Sequence, residues 1–126
     1  MRKILLSIKP YYAHAILNGS KTVEYRKVVP KEGLSGIAYI YSSSPEKKVI
    51  GEFKYKNILS MPPKILWEET KERGGIDQEF FDSYFQERNT AYAFDIESVL
   101  VYKTPKSLYD LNIKQAPQSW MYVDEI

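Results

Sequence analysis

The sequence predicts an α+β fold: a small, largely antiparallel β-barrel of about six strands, with one N-terminal helix and an inserted helical pair. Three observations carry this. Short apolar or alternating segments bounded by Gly, Pro and Ser recur along the chain, which is the pattern of strands and turns. Helical patterns cluster instead of alternating with strands, which argues against a parallel βαβ sheet. The 126 residues, 44% hydrophobic and 27% charged, fit one domain over 1–126 with a real core.

The elements follow in order. "KILLSI" (3–8) is a short apolar run and reads as a buried strand. Pro10 suits the first turn of a helix, Tyr12, Ala13, Ile16 and Leu17 fall at helical spacing, and Asn18-Gly19 supplies a stop. "KTVEYRK" (21–27) alternates, with Val23 and Tyr25 on one face and Thr22, Glu24 and Arg26 on the other, the period of a half-buried strand. "VVPKEGLSG" is a loop. Strands follow at 37–45, ending in a Ser-rich turn, and at 47–59, where Gly51 marks a bulge or a close backbone approach. Residues 61–75 and 76–88 form the helical pair; Gly74-Gly75 stops the first and Asp77 caps the second. The stripe Phe80, Phe81, Tyr84, Phe85 is read as core. A strand at 90–103, one helical turn in "SLYDLNI" and a closing strand at 118–123 complete the chain.

Composition narrows the function. Eighteen basic and sixteen acidic side chains give a net charge of +2, too balanced for a long polyanion track but compatible with one local basic pocket. The absence of cysteine excludes disulfides and the usual zinc frameworks, and the single His14 cannot build a multi-histidine metal site. The sequence therefore predicts neither a metal nor a cofactor. No apolar run approaches the roughly 20 residues that span a bilayer, and the four-residue apolar run after the basic start is too short for a signal peptide. A cytoplasmic, membrane-free protein is expected. Eleven tyrosines are many for this length; strand propensity accounts for most, and stacking on bases would use some.

The motif that draws attention is G-x-K-x-x-E-x-R, formed by Gly19, Lys21, Glu24 and Arg26. On one strand, residues 24 and 26 share a face about 6.6 Å apart. Two cations around one carboxylate keep Glu24 ionised and fix all three side chains. Such a cluster can grip a phosphate through Lys21 and Arg26 while Glu24 accepts from a base or a ribose hydroxyl. Alternatively Glu24 serves as a general base with Lys21 stabilising developing charge. A plain surface salt-bridge ladder fits the spacing as well.

Taken with "SIKPYYAHAILNGSKTVEYRK", "IAYIYSSSP", "VIGEF" and "KQAPQSW", the motif resembles the ASCH domain family, small barrels related to the PUA group of RNA-binding folds, over almost the whole chain. The resemblance implies a PUA-like barrel with a cleft beside the first helix and a role with RNA or modified nucleotides. The ligand-binding residues expected on that basis are Lys9, Lys21, Thr22, Glu24 and Arg26, the strand-end group Tyr41, Ser42, Ser43 and Ser44, and Gln118 and Ser119. The partner expected is RNA or a nucleotide. The alternative is a metal-independent hydrolase of a modified nucleoside or of RNA, with Lys21 and Glu24 as its catalytic pair. Some family members remove the acetyl group of N4-acetylcytidine with a Lys, a Thr and a distant Glu. Lys21 matches the Lys, but the Thr position holds Glu24 here, and Glu68, Glu69 and Glu72 are the candidates for the distant Glu. Trp120 is read as core and His14 as a partly exposed helical residue.

Overall fold

The computed structural model describes residues 2–31 and 35–123; part of the expected 28–36 loop, at 32–34, lies outside them. The chain runs β1 (Arg2–Ile8), α1 (Pro10–Leu17), β2 (Val23–Arg26), β3 (Gly36–Ser42), β4 (Lys48–Met61), α2 (Pro63–Thr70), α3 (Gln78–Tyr84), β5 (Ala91–Lys106), a 3-10 turn (Tyr109–Leu111) and β6 (Trp120–Tyr122). Every expected element is present in the expected order. The helical pair is shorter than predicted. Asp77 accepts from the Phe80 amide at 2.8 Å and so starts α3, while 71–76 form turns between the helices.

The strands form one sheet in the order β2-β5-β4-β3-β1-β6. Each ladder is antiparallel except β1 with β3, so the sheet is mixed; α1 and β2 lie on the crossover between that parallel pair. Register shifts at Val49/Gly51, Lys54/Tyr55 and Tyr55/Asn57 curl the long β4–β5 pair. Gly51 permits a close approach: a Cβ there would stand 2.6 Å from Leu100 O and 2.8 Å from Leu17 Cδ2. The expected bulge and close approach coincide at this residue. The sheet is a curled half-barrel, because no ladder joins edge strands β2 and β6 among the described residues.

Apolar side chains sort into three clusters. Ile4, Leu6, Ile8 and Ile16 pack with Ile40, Phe53 and Phe94. Val23 and Tyr25 meet Leu66, Phe81 and Phe85 beneath the helical pair. Leu5, Tyr39, Tyr41 and Val49 lie under the segment carrying Leu108, Leu111 and Met121. Strand β1 therefore buries both faces, which explains its continuous apolar run. The α3 stripe divides: Phe81 and Phe85 enter the core, while Phe80 and Tyr84 line the cleft described below. Trp120 is half-buried against the main cluster, and its indole N–H donates to Val28 O at 3.0 Å. No described helix is long and apolar enough to cross a membrane.

Candidate functional site

A cleft of about 840 Å³ opens where α1, β2, the β3–β4 turn, α3 and the segment before β6 converge. Its floor is set by β2. The alternating sequence predicts a half-buried strand, yet all four residues of β2 are buried. Val23 and Tyr25 pack in the core under α2 and α3, while Glu24 and Arg26 form the floor of the cleft. Lys21, Glu24 and Arg26 are 3%, 7% and 7% exposed and lie together. The surface-ladder alternative is thereby excluded for this trio.

Arg26 is fully engaged. Its Nε donates to Glu24 Oε2 at 3.0 Å, and Nη2 stands 2.9 Å from the same oxygen. Nη2 also donates to Ser7 O at 2.8 Å, and Nη1 donates to Ser119 O and Oγ at 3.2 and 3.1 Å. A guanidinium has five N–H groups; four hydrogen bonds to Glu24, Ser7 and Ser119 occupy this one, and Glu24 neutralises its charge. The phosphate grip expected of Arg26 is therefore disfavoured. Arg26 instead joins β2 to Ser7 of β1 and to Ser119 beside β6, spanning the open side of the half-barrel.

Lys21 stands over this pair. Its Nζ is 3.6 Å from Glu24 Oε1, donates to Gly74 O, and lies 5.1 and 5.7 Å from the Tyr25 and Tyr12 ring centres. Burial pushes the ammonium below the usual lysine range, and the Glu24 carboxylate opposes that shift without cancelling it. The loop between α2 and α3 wraps the lysine. Thr22 N donates to Arg73 O at 2.9 Å, Tyr25 Oη and Thr70 Oγ1 are 2.7 Å apart, and Gly74 leaves no room for a side chain beside Tyr25. The Gly-Gly pair is thus more than a helix stop. Burial also raises the Tyr25 and Tyr84 hydroxyls above the usual tyrosine range.

Of the other expected site residues, Lys9, Tyr41, Ser43, Ser44, Gln118 and Ser119 line the cleft. Tyr41 does so from a mostly buried position in the third cluster. Thr22 and Ser42 do not line it. The Thr22 hydroxyl accepts from Arg73 Nη1 at 3.3 Å, and the same nitrogen donates to Asp95 Oδ1 at 3.0 Å, which turns Thr22 away from the floor. Ser42 is fully buried, and its hydroxyl donates to Glu46 Oε1 at 2.6 Å. His14, exposed as expected, bonds that same oxygen at 2.8 Å. Glu68, Glu69 and Glu72 are exposed on or just after α2 and do not line the cleft.

Sequence reasoning missed Tyr12, Lys27, Lys47, Phe80, Tyr84 and Arg88, all of which line the cleft. Lys27 Nζ sits 4.7 Å from the centre of the Tyr84 ring, and that pair signals itself only once α3 is docked on β2. With these residues the lining carries six cationic side chains and one carboxylate, although the whole chain is only +2. Among the described residues no group of three His, Cys, Asp or Glu is placed to hold a metal ion.

A curled mixed sheet with a cationic, aromatic cleft beside its first helix is the class of fold these elements define. Comparison with known proteins is specific: the model of the ASCH domain matches residues 6–106, and the chain belongs to that family. ASCH from Zymomonas mobilis superposes with a TM-score of 0.90 at 28% identity, covering 98% of this chain and 89% of that one. A curated relative, the ASCH domain-containing ribonuclease of Zymomonas mobilis, is 31% identical over 93 residues, 74% of this chain and 63% of that protein. Large ribosomal subunit protein uL22 of Ureaplasma parvum is 25% identical over 121 residues, 95% of this chain. The chain spans 39% of the length of that uL22 protein and 63% of the ribonuclease.

Proposed function

We propose that the protein binds single-stranded RNA or a nucleotide in this cleft. The observation that carries the reading is charge segregation: six cations face one carboxylate in the lining of a nearly neutral chain. Phosphate falls to the rim, where Lys9, Lys27, Lys47 and Arg88 supply donors not locked into the floor. Tyr12, Tyr84 and Phe80 give a base flat apolar surface, the usual partner of an unstacked nucleobase. Arg26 and Glu24 hold the floor rigid. The ribonuclease name of the Zymomonas relative supports an RNA-related role. The test is anisotropy of a labelled single-stranded RNA titrated with protein from 50 to 300 mM salt, roughly the range over which phosphate contacts are lost. Affinity should fall steeply with salt and weaken in Arg88→Ala and Lys47→Ala. Salt-independent or undetectable binding refutes the reading.

Hydrolysis at the same site is the second reading, favoured by a buried amine that stands 3.6 Å from a buried carboxylate. In RNA cleavage the Glu24 carboxylate takes the 2′-hydroxyl proton as that oxygen attacks the adjacent phosphorus, Lys21 stabilises the developing charge, and the departing 5′-oxygen takes a proton from water as the P–O bond to it breaks and the cyclic phosphate closes. An amidohydrolase of the acetylcytidine type finds less support, because Glu24 fills the hydroxyl position and Thr22 points away. RNA turnover that vanishes in Lys21→Ala, with folding intact by circular dichroism, selects this reading over binding alone.

A further inference from the structure

We propose a second subsite for the ligand, an annex that receives a base flanking the nucleotide held in the cleft; this rests on the binding reading above. A separate hollow of about 550 Å³ shares the side chains of Tyr12, Ile76 and Phe80 with the main cleft, so the two are continuous over that ridge. Its outer wall is Tyr11, 78% exposed, and Phe80 on the ridge is 43% exposed. The rings form a continuous run: Tyr11 meets Tyr12 edge-on with centres 5.4 Å apart, and Tyr12 meets Phe80 at 5.9 Å. Large aromatics left open beside a cationic cleft mark an interaction surface.

The charges divide the labour. The annex lining contains one cation, Lys71, and two carboxylates, Glu72 and Asp77, the reverse of the cleft. A phosphate is disfavoured there, whereas a neutral flat ring is not. Single-stranded nucleic acid fits both halves, phosphate over the cationic cleft and the neighbouring base across Tyr11 and Phe80. Stacking of this kind tolerates any base. The ligand class is thus an oligonucleotide of at least two residues, not a free mononucleotide.

The test uses the full chain, cytidine 5′-monophosphate, and a 2′-O-methyl trinucleotide that resists cleavage, both measured by calorimetry. The trinucleotide should bind about tenfold more tightly than the mononucleotide. Tyr11→Ala should lose about five- to tenfold on the trinucleotide and leave the mononucleotide unchanged within about twofold, since Tyr11 does not line the cleft. Tyr11→Phe, which keeps the ring, should behave as wild type. Trinucleotide binding that is indifferent to Tyr11→Ala, or a loss shared equally by both ligands, overturns the annex while the cleft reading stands. Failure of both ligands to bind wild-type protein overturns the two together.

Discussion

Arg26 donates to both the carbonyl and the hydroxyl of Ser119, a residue 93 positions further along the chain, and so ties strand β2 to the approach of β6, where no backbone ladder does among the described residues. Lysine cannot reproduce this, having three donors on one nitrogen. Arg26→Lys should therefore destabilise the protein by about 3 kcal/mol, as breaking a buried ion-pair and hydrogen-bond network does. A Tm lowered by roughly 10 °C in a thermal melt is the expected reading. An unchanged Tm would mean the side of the half-barrel is held by other means.

Lys21 is the opposite case. Its folded-state pKa lies below the ordinary value of 10.5, so the unfolded chain binds more protons in the interval between the two. Wild-type stability thus rises with pH through that interval, while below it the full burial cost remains. Lys21→Met should be at least as stable as wild type at pH 7, with an advantage that shrinks towards pH 10.5. Urea titrations across that range measure it, and an advantage that grows with pH would contradict it.

Gly74 packs its backbone against Tyr25, and a Cβ there would sit 2.2 Å from the tyrosine oxygen. Gly74→Ala must push the 71–76 turns outward, taking with them the carbonyl that accepts from Lys21. The expected cost is about 1–3 kcal/mol, typical of overpacking, together with weakened binding. Wild-type affinity in a folded Gly74→Ala protein would show that the wrap around Lys21 is dispensable.

The Glu46 carboxyl is held below the usual carboxylate range first by the Ser42 hydroxyl and then by His14. A depressed folded pKa gives stability that is present above the unfolded value and lost as pH falls through the folded one. Ser42→Ala should cost about 1 kcal/mol or less at pH 7, because Glu46 is partly solvated. The gap between variant and wild type should close below pH 4.5. A pH-independent gap would assign the effect to packing.

Much of the fold was legible in the sequence because its signals are local: the Pro10 start of α1, the Asp77 cap and the paired glycines each act within a few residues. The trio Lys21, Glu24 and Arg26 was legible for the same reason. What escaped depends on distant partners. The commitment of Arg26 to Ser7 and Ser119, the turning of Thr22 towards Arg73, and the placing of Phe80, Tyr84 and Arg88 on the cleft follow from how α3 and the last segment dock. The alternation of β2 misled because the strand is covered on both sides, by core on one and by the cleft floor on the other.

The wall of the cleft formed by Ala116–Ser119 has a temporal consequence. A ribosome extrudes β1, α1 and β2 of this domain first, yet the guanidinium of Arg26 meets its last acceptors only once Ser119, 93 residues later, has emerged. Nascent chains that end before Ser119 lack the wall that closes the cleft, so the cleft is completed late in the synthesis of this domain.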